Sequence, residues 1–191
     1  MTASLLFLRE FIRSPLMTGA VMPSSPELAR QMTLSVPERG NPVVVELGPG
    51  TGPVTDAIQR RLSGRGKHLA IEMNPHLAEV VARRFPEVDV ILGDATSLPR
   101  QLAVRGLTAA DVIVSSLPWT ACRGKFLSAV CQSLDSAGVF TQFSYVWTWW
   151  AAPSKRRLND IQNAFEEVVV SRTVWRNVPP ALIYIARRKR M

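Results

Sequence analysis

Val43-Val-Val-Glu-Leu-Gly-Pro-Gly-Thr-Gly52 is the stretch that decides the fold, because it joins an apolar run to a turn with few side chains. The run Val43 to Leu47 is β-branched and aliphatic and lies between Pro42 and Gly48, which predicts a buried parallel strand. Alternate glycines allow positive φ and leave the backbone bare, so the turn can lie against a ligand. Pro53 then suits the first position of a helix whose amide groups face the same crevice.

The turn differs from a nicotinamide-binding turn in its spacing and in the acid that precedes it. A nicotinamide-binding turn reads G-x-G-x-x-G, whereas this one reads Glu46-x-Gly48-x-Gly50-x-Gly52. A carboxylate at the strand end disfavours a diphosphate and suits the ammonium and sulfonium of S-adenosylmethionine, contacted directly or through water. The turn resembles the glycine-rich motif of the class I methyltransferases. A glycine turn that only closes a βα unit is the alternative.

Length and composition predict one globular domain with a substantial core, since the chain has 191 residues, of which 47% are hydrophobic and 20% charged. We expect an α/β fold: a doubly wound, seven-stranded, mostly parallel sheet with helices on both faces. Within this single domain, residues 1–35 are predicted to form an amphipathic helix and a helix covering the substrate, and residues 36–191 the methyltransferase part. The net charge of +8 favours an anionic partner, either nucleic acid or a membrane surface.

Neither a disulfide, a metal site nor a membrane span is predicted. Cys122 and Cys131 lie nine residues apart on one predicted helix, which places them on opposite faces. The apolar run Leu5 to Leu8 is too short for a signal peptide, and no stretch reaches transmembrane length. The sequence therefore predicts a cytoplasmic protein that can act at a membrane surface.

The first predicted helix, Ser4 to Ser14, is amphipathic, and Pro15 ends it. Its apolar residues share one broad arc, with Arg9, Glu10 and Arg13 on the other side. The helix either packs on the core or also lies in a membrane interface. The residues predicted to bind the membrane are Leu5, Phe7, Leu8, Arg9, Phe11, Ile12 and Arg13. A second helix is expected from Ser25, as N-cap, to about Leu34.

Acids end the first three predicted strands, all at the edge where open α/β sheets bind ligands. Glu72 ends the strand from His68, 20 residues beyond Gly52, where a carboxylate can bind ribose hydroxyls. Asp94 follows the strand Val88 to Leu92 and can accept from an adenine amino group. The residues predicted to bind the cofactor are Glu46, Gly48, Gly50, Thr51, Gly52, Glu72, Met73, Asp94, Ala95 and Ser115, with Met73 packing on the adenine. We interpret His68 and His76, which show no partner in the sequence, as structural.

The acceptor is expected after the fourth strand, Asp111 to Ser115, where Ser116-Leu-Pro-Trp119 follows. Amino-methylating relatives often have N/D-P-P-Y/F/W here, and the amide or acid holds a planar exocyclic amine. Ser116 lacks that pair of hydrogen-bonding groups. Trp119 is predicted to stack on the acceptor or cage it, although a packing role is the alternative.

The remaining chain supplies aromatic and basic segments. A helix Arg123 to Leu134 and a fifth strand Gly138 to Ser144 are expected, followed by Tyr145 and a tryptophan-rich segment that forms a lid, a membrane anchor or part of the core. The helix Ser154 to Phe165 begins with Lys155-Arg-Arg157, whose charges oppose the helix dipole and suggest an anion. Two final strands, Val168–Trp175 and Leu182–Arg187, are predicted to pair in antiparallel fashion.

These pieces together resemble the bacterial phospholipid N-methyltransferases, which methylate phosphatidylethanolamine, over nearly the whole chain. The matching segments are Phe7–Phe11, Gly19–Ser25, Glu46–Gly52, Ser116–Pro118, Gln142–Tyr145 and Asn177–Ala181. The last two are specific to that family. The resemblance implies an N-terminal helix that binds anionic membranes and an active-site role for Tyr145. The chain departs from the family where Val146-Trp-Thr-Trp-Trp150 replaces a glycine-proline run, which bears on the acceptor more than on the reaction.

The sequence therefore favours S-adenosylmethionine-dependent N-methylation of an amine-bearing phospholipid head group, phosphatidylethanolamine and its methylated forms, at the membrane surface. Tyr145, Trp119 and Ser116 are the candidates at the acceptor. An RNA adenine N6-methyltransferase is an alternative, because the early motifs also resemble the ribosomal RNA adenine dimethyltransferases. Ser116 and the lack of a helical C-terminal domain argue against it, so nucleic acid is not the favoured partner. Two further hypotheses are a methyltransferase of a small soluble amine and a catalytically silent binding module.

Overall fold

The structure, a computed structural model, describes residues 24–117, 125–146 and 152–190. Its helices are α1 (Pro26–Met32), α2 (Pro53–Leu62), α3 (Pro75–Arg84), α4 (Leu98–Ala103), α5 (Phe126–Ser133) and α6 (Ala152–Ala164), with a short 3-10 turn at Ala95–Ser97. Its strands are β1 (Val43–Leu47), β2 (Lys67–Glu72), β3 (Asp89–Leu92), β4 (Ala110–Ser115), β5 (Leu134–Tyr145), β6 (Phe165–Val170) and β7 (Ala181–Lys189). None of the described helices is long and apolar enough to cross a membrane.

The seven strands form one sheet in the order β3-β2-β1-β4-β5-β7-β6. Strands β1 to β5 are parallel, and β7 runs antiparallel to both β5 and β6. The strand order reverses between β1 and β4, and open α/β sheets bind ligands outside the carboxyl ends of the strands at such a reversal. The predicted fold, including the final antiparallel pair, is confirmed.

Two apolar clusters cover the two faces of the sheet, because successive strand residues point to opposite sides. Val45 and Leu47 of β1 face a cluster that includes α4 and α5. Val44 faces a second cluster, which contains Leu28 and Met32 of α1 together with residues of α2. Each fully buried large side chain of this kind contributes about 1.5 to 3 kcal/mol. Helix α1 is therefore held in the same core as the strands that it covers.

The helix starts follow the sequence closely. The Ser25 side chain accepts a hydrogen bond from the backbone N–H of Leu28 at 3.1 Å, and Pro26 occupies the first turn of α1. The Asn74 side chain accepts from the N–H groups of His76 and Leu77 at the start of α3. Ser25 is thus the N-cap that the sequence predicted.

Several element bounds differ from the prediction. Strand β5 begins at Leu134 rather than Gly138, because a bulge between Ala110 and Val112 of β4 lets Leu134 pair with Ala110. Strand β6 spans Phe165–Val170 rather than residues 168–175, since the buried Phe165 ring stacks on Phe140 at 6.1 Å. Phe165 therefore begins a strand and does not end a helix.

Some bounds differ only at their ends, and one helix was not predicted. Strand β7 is longer than predicted at both ends, and α5 is described from Phe126 and ends at Ser133. Helix α4 is additional, and its Leu98 and Leu102 are buried at the i, i+4 spacing that was available in the sequence.

Candidate active site

The carboxyl ends of the parallel strands meet at one rim of the sheet. Leu47 of β1 is paired with Ile71 of β2 and with Ser115 of β4, while Ser115 is paired with Gln142 of β5. Glu72 ends β2 beside Leu92, the last residue of β3. The segments that follow these strands carry the predicted cofactor and acceptor residues, so the structure brings those segments together.

The glycine turn requires its glycines for different reasons. Gly48, Gly50 and Gly52 all have positive φ, between 59° and 89°. A Cβ on Gly48 would lie 2.6 Å from a side-chain carbon of Leu117, and one on Gly52 would lie 2.6 Å from the ring of Phe85. A Cβ on Gly50 would meet no described atom within 4 Å. Gly48 and Gly52 therefore allow close packing, whereas Gly50 leaves open space above the turn for a ligand.

Glu72 is 8% exposed and holds the turn from the neighbouring strand. Its Oε2 accepts from the Gly50 N–H at 3.1 Å, and its Oε1 accepts from the Asn74 N–H at 2.9 Å. Burial raises the pKa of the Glu72 carboxyl, and the nearby Glu46 carboxylate adds to the rise. A carboxylate has further lone pairs on both oxygens, so Glu72 can hold the turn and still accept from ribose hydroxyls.

Replacing Glu72 with Ala should weaken binding of S-adenosylmethionine by about 1 to 3 kcal/mol, the range for loss of a buried charged hydrogen-bond partner. The substitution also leaves the Gly50 N–H without its acceptor. Calorimetric titration measures the dissociation constant, with Glu79→Ala as the control, because Glu79 is exposed and its ion pair with Arg83 is local. An unchanged dissociation constant for Glu72→Ala would refute the ribose assignment.

Glu46 lies at the centre of a buried polar chain beneath the turn. Its Oε2 accepts from the Thr55 hydroxyl at 2.7 Å and lies 3.4 Å from Nε2 of His68. The Gln59 amide donates to Nδ1 of His68 at 2.9 Å, which leaves the proton of a neutral ring on Nε2, facing Glu46. His68 therefore has two polar neighbours on other elements that the sequence did not show, and its structural role stays a prediction.

The second oxygen of Glu46 bears directly on ligand binding. Glu46 Oε1 is buried and has no hydrogen-bond partner among the described residues. An unpaired buried carboxylate oxygen is costly unless a ligand or water satisfies it. One residue separates Glu46 from the glycine turn, and the role of this buried oxygen towards a cationic ligand stays a prediction.

The adenine side of the predicted site is more open. Met73 is 46% exposed directly after Glu72. Asp94 is exposed, and its Oδ1 accepts from the N–H of Thr96 at 2.7 Å and from the Thr96 hydroxyl at 2.5 Å. Asp94 thereby caps the 3-10 turn that begins at Ala95. Met73, Asp94 and Ala95 follow neighbouring strands at the same rim, which is the arrangement that a nucleobase site requires.

The segment after β4 is fixed by two strands. The Ser116 N–H donates to the Leu47 carbonyl at 2.8 Å, and the buried Gln142 side chain donates to the Leu117 carbonyl at 2.7 Å. The buried Ser115 hydroxyl accepts from the Leu117 N–H at 3.4 Å. The Ser116 Oγ is buried without a hydrogen-bond partner among the described residues. Ser116 therefore presents an unsatisfied hydroxyl at this rim, and Gln142 positions the segment that carries it.

Tyr145 ends β5 and lies half-buried at the same rim. Its ring packs edge-on against Phe143, with the ring centroids 5.3 Å apart, and its backbone pairs with Ala181 of β7. Burial raises the pKa of the Tyr145 phenol to about 12. The phenol is therefore protonated at neutral pH, which favours a role in orienting an amine over a role as the base.

Asn177 connects three of the segments on which the family resemblance rests. The resemblance gave this residue no role. It is buried, its Oδ1 accepts from the Ser25 N–H at 2.8 Å, and its side-chain amide donates to the Pro179 carbonyl at 2.7 Å. The Val146 N–H donates to the Pro180 carbonyl at 2.9 Å. The start of α1, the end of β5 and the turn before β7 thus meet beside Tyr145. Sequence reasoning missed this contact because Ser25 and Asn177 lie 152 residues apart.

Several predicted site residues lie outside the described residues. Among them are Trp119 and the tryptophan-rich segment after Val146. The predicted membrane-binding residues Leu5, Phe7, Leu8, Arg9, Phe11, Ile12 and Arg13 also lie outside. Cys122 falls in this part as well, while Cys131 is a free, half-buried cysteine of α5.

Solved structures with the same architecture identify the fold class. An O-methyltransferase from Bacillus cereus in complex with S-adenosylhomocysteine has a TM-score of 0.67 and 15% identity, over 97% of this chain and 90% of that one. Human methyltransferase-like protein 13, also in complex with S-adenosylhomocysteine, has a TM-score of 0.61 and 19% identity, over 85% and 75% of the two chains. The glycine turn and the strand-end acids complete the pattern. The protein therefore has the fold of the class I S-adenosylmethionine-dependent methyltransferases.

Curated relatives narrow the class to a family. Ornithine lipid N-methyltransferase from Singulisphaera acidiphila is 31% identical over 189 residues, which cover 95% of this chain and 94% of that protein. The chain therefore belongs to the bacterial lipid N-methyltransferases, as the resemblance predicted. A probable ribosomal RNA small subunit methyltransferase A from Thermococcus onnurineus is 37% identical over 82 residues, 42% of this chain and 26% of that protein. No family model matches the chain.

The described residues fit the cofactor of this class. The open space above Gly50 can admit a ligand close to the backbone, and the unpaired oxygen of Glu46 suits a cationic group beside it. Glu72 and Asp94 would hold the ribose and the base. When bound, S-adenosylmethionine supplies an electrophilic methyl group on a sulfonium centre.

Proposed function

We propose that this enzyme methylates the amine of a phospholipid head group, phosphatidylethanolamine and its methylated forms, at a membrane surface. One observation carries the proposal: the two family-specific segments, which contain Tyr145 and Asn177, meet the matching segment that ends at Ser25, at the rim beside the acceptor side of the site. Similarity to the lipid N-methyltransferase spans this whole region, whereas similarity to the ribosomal RNA methyltransferase is limited to less than half of the chain.

The acceptor amine must reach the methyl group as a neutral amine with its lone pair aligned. The enzyme therefore has to orient the nitrogen and allow one proton to leave an ammonium. Tyr145, as a neutral phenol, can accept a hydrogen bond from an amine N–H, and the Ser116 hydroxyl can do the same from the end of β4. Each of these residues offers one hydroxyl group, which suits an alkyl amine that rotates freely.

A planar exocyclic amine places different demands on the same position. The exocyclic amine of adenine donates two N–H groups, which an amide or acid oxygen and a backbone carbonyl accept beside an aromatic ring. A lone hydroxyl at Ser116 does not replace the amide or acid of that pair. The buried Gln142 amide donates to the Leu117 carbonyl at 2.7 Å, so it stabilises the segment that carries Ser116. This geometry favours a lipid amine over an RNA base.

The test is to incubate the full-length protein with labelled S-adenosylmethionine and separate pools of total lipid, ribosomal RNA and polar metabolites. We expect label in the lipid pool alone. Defined vesicles then separate the acceptors, with phosphatidylethanolamine in one arm and ornithine lipid, the acceptor in the relative's name, in the other. Label in RNA or in the polar metabolites would overturn the lipid assignment.

The predicted N-terminal helix gives a second test of action at a membrane. Replacing Phe7 and Phe11 together with Glu should abolish sedimentation with anionic vesicles and leave cofactor binding unchanged. Each fully buried large apolar side chain contributes about 1.5 to 3 kcal/mol, and each basic residue near an anionic surface about 1 kcal/mol. The matched control replaces both residues with Leu, which keeps the apolar arc. Loss of cofactor binding in the Glu variant would show that this segment packs on the domain.

A further inference from the structure

The turn between β6 and β7 has a rigid, buried base. A backbone bridge between Val174 and Ala181 closes it, with the Val174 N–H donating to the Ala181 carbonyl at 2.8 Å. Val174, Asn177 and Ala181 are all buried, and Asn177 is hydrogen-bonded to Ser25 and to the Pro179 carbonyl. The conformation of this turn is therefore set by the domain and does not depend on what its outer side chains contact.

The outer side chains of this turn are apolar and unusually exposed. Trp175 is 74% exposed and Val178 is 66% exposed. Single apolar residues are normal on a protein surface, but here an indole and an isopropyl group project from one short turn whose base is buried and hydrogen-bonded. We call the segment Trp175–Val178 the turn tip. An indole at the edge of an apolar medium is a common feature of membrane interfaces.

The charges around the turn tip are basic. Arg172 and Arg176 are exposed, and residues 171–180 contain no acid. The acid that lies near Arg176 is Glu27 of α1, which pairs with Arg30 at 2.8 Å and accepts from the Gln31 side chain at 2.6 Å. Apolar groups flanked by arginines are complementary to the acyl boundary and head groups of an anionic bilayer, in which each basic residue adds about 1 kcal/mol.

The turn tip also lies next to the acceptor side of the site. Pro180 accepts from the Val146 N–H at 2.9 Å, and Ala181 pairs with Tyr145. A surface that receives Trp175 and Val178 would therefore lie at the rim where Tyr145 ends β5.

We propose that the turn tip inserts into the interface of an anionic phospholipid bilayer, with Arg172 and Arg176 on the head groups, and so sets the rim of the site against the membrane. This inference rests on the proposed lipid function and adds a contact formed by the described domain to the one predicted for the N-terminal helix. The partner is a lipid surface, because the turn presents a protruding apolar tip on a buried base. It does not present a groove that could accept a peptide or a nucleic acid strand.

The test uses the full chain and vesicles of phosphatidylglycerol and phosphatidylethanolamine in a sedimentation assay. Trp175→Glu with Val178→Glu should weaken vesicle binding by about tenfold or more, since two side chains lose their transfer to an apolar medium. The matched control is Val104→Glu. Val104 is 67% exposed, but it lies between α4 and β4. It is therefore at the amino ends of the parallel strands, the rim of the sheet opposite to the site. Equal vesicle binding by the double variant and wild type would overturn the proposal.

A second acceptor separates this inference from the proposed function. A short-chain phosphatidylethanolamine, dispersed as monomers, should be methylated equally by wild type and by the double variant, whereas methylation in vesicles should fall at least tenfold in the variant. If the variant also loses the monomeric acceptor while binding cofactor normally, the turn tip belongs to the acceptor site and the proposal is wrong. If wild type methylates neither form, the proposed function itself fails.

The arginines provide an independent variant should the apolar substitutions impair folding. Arg172→Gln with Arg176→Gln should lower binding several-fold at low salt and have little effect at high salt, because exposed charges are screened. The control is Lys67→Gln. Lys67 is exposed and begins β2, at the rim of the sheet opposite to the site. If wild type binds RNA but not vesicles, and the arginine variant loses this RNA binding, the surface binds nucleic acid and the proposal is wrong.

Discussion

Replacing Gly50 with Val should abolish measurable binding of S-adenosylmethionine, a loss of at least about 3 kcal/mol. Gly50 has a φ of +59°, a region that costs a residue with a Cβ about 1 to 2 kcal/mol. A Cβ there would also enter the space that no described atom occupies within 4 Å, where the ligand has to approach the backbone. Calorimetric titration of the folded variant measures the effect.

Backbone strain alone can be separated from obstruction of the site. Gly106 has a similar φ of +66° and also has no described atom within 4 Å of a built Cβ, but it lies in the turn after α4. Gly106→Val should therefore lower the melting temperature without changing the dissociation constant for the cofactor. Near-normal cofactor affinity in Gly50→Val would show that the ligand does not lie above the glycine turn.

Replacing Tyr145 with Phe should lower kcat by about 100-fold and leave the dissociation constant for S-adenosylmethionine unchanged. Positioned hydrogen-bonding groups in active sites contribute effects of about 10²- to 10³-fold when they act on the reacting atoms. The phenyl ring would keep the edge-on contact with Phe143, so the end of β5 should remain folded. Steady-state kinetics with a lipid amine and a separate cofactor titration measure the two quantities.

The pH dependence distinguishes the two roles of Tyr145. Burial disfavours the phenolate and raises its pKa to about 12, so the phenol stays protonated through neutral and mildly alkaline pH. The rate should then rise with pH as the acceptor amine loses its proton, and Tyr145→Phe should keep the same profile at a lower level. A profile that loses its alkaline limb in the variant would assign Tyr145 as the base. Tyr184→Phe, the other tyrosine of the chain and buried in β7, is the control.

The sequence signals for the cofactor side of the site are local, and the structure places the residues that carry them at one rim of the sheet. Glu46, Gly50 and Glu72 each stand at the end of an apolar run or in the turn that follows it, and the topology of a parallel sheet brings such ends together. The same logic placed Ser116 and Tyr145 after β4 and β5. No distance had to be known, since strand order alone determines which ends are neighbours.

The contacts that the sequence did not reveal all join distant segments. His68 is hydrogen-bonded to Gln59 of the helix between β1 and β2, and it lies near Glu46 of β1. Nothing in the sequence of its own strand indicates these polar partners. Gln142 is a buried amide whose acceptor, the Leu117 carbonyl, belongs to the segment after another strand. The start of β5 was missed for a similar reason: the prediction ended a helix at Leu134 and began the strand at Gly138, whereas pairing with β4 extends the strand to Leu134. Tertiary pairing overrode local propensity there.

The hydrogen bond from Ser25 to Asn177 has a consequence for how weak contacts combine. It anchors the point at which residues 1–24 join the domain to the base of the turn that carries Trp175. If both the predicted first helix and the turn tip bind lipid, the stretch of sequence between Pro15, where that helix is predicted to end, and Ser25 tethers one contact to the other. A tether this short holds the second contact at an effective concentration on the order of millimolar once the first has formed. Two individually marginal affinities then multiply, so the enzyme would switch sharply between free and attached forms over a narrow range of anionic lipid density.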